Sequence, residues 1–325
     1  MGNINPLYLQ SEKMRKSAFY ILVPFVTIVL ASCGEFYKLE KSTNWDELYD
    51  AANRYYQNEE YNKAIILYDK VLPVIRGSEK SELAEFNYAY AHFRTKRYIE
   101  AASYFKTFFD TYNRSPMAEE AFFMHAYSLY LDAPDYNLDQ RSSREAVNAI
   151  QLFINRFPTS DSYERAMEMI VDLQKRFEEK AYQESKMYYR LTGGLFPGDF
   201  YRACIVNFQN FAKNYPDSDY NEELAFRLVE VSHNYADNSI FNQKEERLKE
   251  SLEFGRDFMR KFPESAYSGN VNNIMKQTET ALASHVKLKQ EYEQRTAEAK
   301  KAAEEEELRN REATEALKNT QNNQN

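Results

Sequence analysis

Cysteine is almost missing from this sequence: 325 residues hold two, Cys33 and Cys204. A disulfide framework is excluded. Glycine and proline are scarce too, at 8 and 9, and no stretch alternates apolar and polar residues as a half-buried strand would. The expected fold class is all-α. Glycine-rich phosphate loops are absent, because Gly193-Gly194 lacks the context of a P-loop or a dinucleotide-binding turn. The four histidines, His92, His125, His233 and His285, are scattered, and no Cys or His pair has zinc spacing. There is no Gly-x-Ser-x-Gly elbow. Paired acids such as Glu59-Glu60 and Glu119-Glu120 fall at helix starts, where they suit the dipole. The expectation is a non-enzyme without metal or cofactor. The formal charge of -8 becomes -10 without residues 1–33, which argues against a nucleic-acid partner.

Long apolar runs are equally rare, and the exception is informative. Ala18 to Leu30 is apolar over 13 residues and follows Arg15 and Lys16. A membrane-spanning helix needs about 20 residues, so this run fits the core of a secretory signal. Leu30-Ala31-Ser32-Cys33 resembles a bacterial lipobox, in which the Cys33 thiol receives an acyl lipid. Residues 1–13 add nothing to such a signal, so Met14 is a candidate true start. One acyl chain anchors only marginally, and a mature lipoprotein of this type carries three. Gly34-Glu35 follows Cys33, with no Asp directly after it, which favours the outer membrane. Residues 34–43 are expected to form a tether. Cys204, left without a partner, falls where a small packed residue is needed and reads as a buried thiol.

What the chain has in abundance is aromatic side chains, with 26 Tyr and 22 Phe, and they recur in register. Tyr61, Ala64, Tyr68 and Leu72 are matched 37 residues later by Tyr98, Ala101, Phe105 and Phe109. Ala52, Tyr55 and Tyr56 are matched by Ala89, His92 and Phe93 at the same distance, and Ala126 continues the series. A recurrence of this length with two amphipathic helices per unit indicates a helical solenoid. It resembles the tetratricopeptide repeat (TPR). About five repeats, or ten helices, are expected. Repeats 1–3 occupy 44–158, with an eight-residue insertion in DAPDYNLDQRSS. A long bridging helix and repeats 4 and 5 occupy 159–285. A charged tail over 286–325 contains a solitary helix and ends in the disordered NTQNNQN. Closures of aromatic, Pro and Ser or Thr recur at 155–160, 214–218 and 261–265.

A lipobox, a short tether and five such repeats together resemble the BamD family, TPR lipoproteins of the machinery that inserts β-barrels into the outer membrane. EKSTNWDELY, LPVIRGSEKSELAEFNYAYAHF, YSLYLDAPDYNLDQ and QLFINRFPTS look like its Bacteroidetes branch. GGLFPG and the charged tail depart from the family pattern. The resemblance implies a lipid-anchored assembly factor at the outer membrane, facing the periplasm. It also implies BamA and other barrel-assembly subunits as partners, with BamA bound through repeats 4 and 5. Unfolded barrel proteins are the implied clients, recognised through their C-terminal signals. A SusD-like glycan-binding lipoprotein and a periplasmic TPR scaffold for envelope enzymes are the alternative readings.

The client site is expected on the first helix of each early repeat. Taking Ala52, Ala89 and Ala126 as helix-contact positions, residues three before, one after and four after share a face. They are Tyr49, Asn53 and Tyr56; Phe86, Tyr90 and Phe93; Phe123, Tyr127 and Tyr130. An aromatic trough suits an extended, apolar peptide. Arg94 is the expected partner of a terminal carboxylate.

Overall fold

A computed structural model describes residues 36–194 and 198–322. The apolar signal stretch, Cys33 and the start of the tether lie outside the described residues. The chain is helical and divides into two units, one ending at Phe177 and one beginning at Glu178.

The first unit contains α1 (Trp45–Gln57), α2 (Tyr61–Ile75), α3 (Ser81–Arg94), α4 (Tyr98–Thr111), α5 (Ala118–Asp132), α6 (Arg141–Arg156) and the start of α7 (Tyr163–Leu191). Asn44 caps α1 by accepting the Glu47 amide at 3.3 Å. The 37-residue register extends into the turns. Glu59 and Lys96 both adopt φ of 61°. Around them Glu60 N donates to Tyr55 O at 2.9 Å, and Arg97 N to His92 O at 3.0 Å. These are left-handed caps that satisfy the last carbonyls of α1 and α3. Ala52, Ala64, Ala89, Ala101, Ala126 and Ala146 are fully buried, as expected of contact positions between helices.

The α5–α6 insertion is a folded loop. Gln140 is buried, donates to Asp135 O at 2.7 Å and accepts from Ser143 Oγ at 2.8 Å. Arg176 holds the other end by donating to Ala133 O at 3.0 Å. The aromatic-Pro-Ser closures also form. Ser160, Ser218 and Ser265 accept the amides of Ser162, Tyr220 and Tyr267. They build a turn just before the next helix and do not cap it directly.

Three boundaries differ from the sequence reading. Repeats 1–3 were expected to end at 158, yet the first unit runs on to Phe177. Ala166, Met169, Ile170 and Leu173 of α7 are buried in the cluster that holds Phe123, Ile150 and Phe153. The tether is partly structured: residues 36–40 are helical, Leu39 is buried, and the Phe36 ring lies 5.6 Å edge-on from Tyr55. The tail extends a packed helix, since no Gly or Pro after Gly269 interrupts α11 (Ser268–Asn322). The residues expected to be disordered after Lys318 are therefore helical as far as Asn322.

The second unit holds the end of α7, then α8 (Gly198–Asn214), α9 (Asn221–Asp237), α10 (Phe241–Lys261) and α11. Cys204, Phe208, Phe211 and Leu224 form one core cluster, and Phe226, Val229, Phe258 and Val271 another. Burial pushes the Cys204 thiol up to about 12, so it packs as an inert apolar group. At Gly255 an added Cβ would come within 2.6 Å of Met275 Cγ, so α10 and α11 meet closely there. Beyond Tyr292 the side chains of α11 that are described are exposed. No helix among the described residues is long and apolar enough to cross a membrane.

Candidate functional site

The structure sorts the nine expected trough residues by their distance from the buried Ala. The positions three residues before it face inward at α3 and α5. Phe86 is buried against Phe105 and Phe108 at 6.2 and 5.2 Å, and Phe123 against Phe153 at 5.3 Å. Tyr49 is half-buried, with Lys80 Nζ 5.0 Å over its ring. Phe86 and Phe123 are thus core residues and leave the expected trough. Side chains on a helix lean toward its N-terminus, so the i−3 position tucks under the preceding turn.

The positions one and four after the Ala stay half-open, and they join across repeats. Phe93 and Tyr127 are 5.6 Å apart between α3 and α5. Phe123 stacks on Tyr127 at 5.8 Å, and Tyr127 on Tyr130 at 6.2 Å. Tyr90 meets Phe93 at 6.3 Å, and its hydroxyl donates to Glu120 on α5. Tyr56 meets Tyr61 edge-on at 5.7 Å. Burial raises the Tyr56 phenol pKa, while Arg94 opposes the shift and Glu120 adds to it. Tyr56, Arg94, Tyr90 and Glu120 thus share one neighbourhood. Asn53 turns to α2 and accepts the Tyr68 hydroxyl at 2.6 Å. The row therefore consists of Tyr56, Tyr90, Phe93, Tyr127 and Tyr130, with the exposed Arg94 beside it.

Two groups at one end of the row had not been foreseen. Arg165 on α7 lies over Tyr127, 4.2 Å from its centroid, and 5.8 Å from that of Phe123. Arg176 lies 5.4 Å over Tyr130, whose hydroxyl donates to Asp172 at 3.0 Å. Burial and the Asp172 bond raise the Tyr130 pKa. Neither arginine shows in the 37-residue register, because the insertion after α5 breaks that register before α7 begins.

Other concavities are built differently. A cleft of about 340 Å³ between α2, α3 and α4 is lined by Asp69, Arg76, Glu85, Tyr88 and Tyr104, with no residue of the row. In the second unit a cavity of about 580 Å³ is lined by Phe208, Leu224, Leu228, Phe254, Phe258 and Phe262. The histidines occupy separate places. His92 is held between Tyr88 and Tyr104, His125 Nδ1 contacts Ala102 O at 2.8 Å, and His233 Nδ1 contacts Thr278 Oγ1 at 2.8 Å.

Residues 41–192 match the family model described as "YfiO: Outer membrane lipoprotein". Over that stretch the chain is similar to the YfiO (BamD) family. Every row residue, together with Arg94, Arg165 and Arg176, falls inside the matched segment. The chain is 24% identical over 171 residues to the outer membrane protein assembly factor BamD of Caulobacter vibrioides, covering 53% of this chain and 54% of that one. It thus spans about half the length of that curated relative. Among solved structures, it is similar to a TPR repeats protein of Bacteroides fragilis, with 12% identity, a TM-score of 0.32, and 74% and 100% of the two chains covered. It is also similar to a Podosopora anserina putative kinesin light chain with TPR-like repeats, at 11% identity, TM-score 0.29, and 68% and 96% coverage.

Proposed function

We propose that this protein is an assembly factor for β-barrel proteins of the outer membrane, held there by an acyl lipid on Cys33 and facing the periplasm. The first unit receives the C-terminal segment of an unfolded client along Tyr56, Tyr90, Phe93, Tyr127 and Tyr130. Repeats 4 and 5 bind BamA, by the family resemblance. The observation that carries the reading is the continuity of the row from Tyr90 and Phe93 on α3 to Tyr127 and Tyr130 on α5, inside the matched segment. A row that served packing alone would bury its rings as Phe86 and Phe123 are buried; these five remain half-open. Each aromatic contact fully buried by a bound peptide contributes about 1.5–3 kcal/mol before ordering costs.

Tyr90→Ala combined with Tyr127→Ala should weaken an aromatic C-terminal client peptide about tenfold or more, while BamA binding is retained. Fluorescence anisotropy with the labelled peptide measures the first and co-purification the second. Tyr90 also touches the buried Phe105 at 5.0 Å, so circular dichroism must show a folded variant. Equal peptide affinity in the two proteins would remove the row from the reading.

A further inference from the structure

Four described arginines of the first unit lie near a ring, Arg54, Arg156, Arg165 and Arg176, and of these only Arg165 and Arg176 stand over the row. Arg176 donates to Asp172 Oδ2 at 2.7 Å and to the Ala133 carbonyl at 3.0 Å, which uses its guanidinium to fasten α7 to the insertion. Arg94 shares its surroundings with Glu120, and both act on Tyr56. Arg165 is different. It is exposed, sits over Tyr127 at 4.2 Å, and forms no ion pair or hydrogen bond among the described residues. Asp161, Glu164 and Glu168 are its acidic neighbours in sequence, yet none pairs with it.

A guanidinium resting on a ring is held on one face, while its N–H edge lies in its own plane. That edge matches a carboxylate bidentately, and the group is more weakly hydrated than an ammonium. Here a cation with no ion pair among the described residues lies over Tyr127, at the Tyr127–Tyr130 end of an aromatic row. We infer that Arg165 is the specificity-determining residue that takes the free α-carboxylate of a peptide ending in an aromatic residue. The terminal ring then lies against Tyr127 and Tyr130, and the peptide runs back toward Phe93, Tyr90 and Tyr56. This inference rests on the proposed peptide-binding row and replaces Arg94 by Arg165 as the anchor. Arg94 stands over no ring among the described residues, whereas Arg165 lies 4.2 Å over Tyr127.

The test uses the full chain and two fluorescein-labelled peptides of one sequence ending in Phe, one with a free C-terminus and one amidated. Wild type should bind the acid at least about tenfold tighter than the amide. Arg165→Gln should bring the acid down to the amide's affinity and leave the amide unchanged. Arg94→Gln should keep the discrimination. Arg165→Lys keeps the charge without the fork, and should recover only part of the difference; it also serves if the Gln variant does not fold. Wild type that binds neither peptide overturns the row itself. Equal binding of acid and amide by wild type overturns the anchor and leaves the row standing. Discrimination that persists in folded Arg165→Gln assigns the anchor elsewhere and overturns the inference.

Discussion

Both ring nitrogens of His92 are buried without a hydrogen-bond partner. The ring lies 4.7 Å from Tyr88 and 4.8 Å from Tyr104. Burial lowers its pKa first, and Arg97 lowers it further, against the opposing pull of Asp69 and Glu100. The folded protein therefore keeps the imidazole neutral where the unfolded chain, with a pKa of about 6.5, takes up a proton. More protons on the unfolded side mean that stability falls as pH drops below that value, until the lower folded pKa is passed. His125 and His233 shift in the same direction by burial. In His92→Phe, the melting temperature should fall less between pH 7 and pH 5 than in wild type. Thermal melts at the two pH values measure this, and parallel losses would show that His92 carries no such charge penalty. The packed character of His92 was readable from its register with Tyr55. Its missing hydrogen bonds were not, because they depend on Tyr88 and Tyr104 meeting over the ring from two helices.

At the scale of helices, the Ala positions decide how closely elements approach. Ala101 has no exposed surface and lies in the cluster with Phe86, Phe105 and Ala126. Ala101→Leu adds three carbons where there is no room, and should cost about 1–3 kcal/mol by overpacking. Urea unfolding followed by circular dichroism would register the loss, and an unchanged midpoint would mean that the α4 contact face is misplaced. Helices with a regular period were legible nearly to the residue, because amphipathic spacing and closing Pro residues act locally. The site was legible in part. Tyr90, Phe93, Tyr127 and Tyr130 were found by helical spacing, whereas the inward turn of Phe86 and Phe123 follows from side-chain lean against a neighbouring helix. Arg165 gave no local signal, since its role comes from α7 returning over α5 after an insertion of irregular length.

The whole chain folds as two units, and the division passes through α7. A fragment of residues 36–158, ending where the repeat pattern closes, lacks Ala166, Met169, Ile170 and Leu173, all buried in the first unit. Each large apolar side chain of this kind stabilises by about 1.5–3 kcal/mol when buried. A fragment of residues 36–177 should unfold cooperatively, and 36–158 should melt at a clearly lower temperature and bind a hydrophobic dye. Matching melts would place the division where the sequence pattern had placed it. The insertion between α5 and α6 bears on heredity as well as on folding. Tyr56, Phe93 and Tyr130 are spaced by the 37-residue register, and the loop begins only after the last of them. Residues gained there in the course of descent leave all three in place, whereas a single residue gained inside α3 or α5 ahead of its ring turns that ring by about 100° away from its neighbours. Doubling a flexible loop costs only about 0.6 kcal/mol. Gln140 and Arg176 fix its two ends, so the stretch between them is where a lineage can lengthen this protein at least harm.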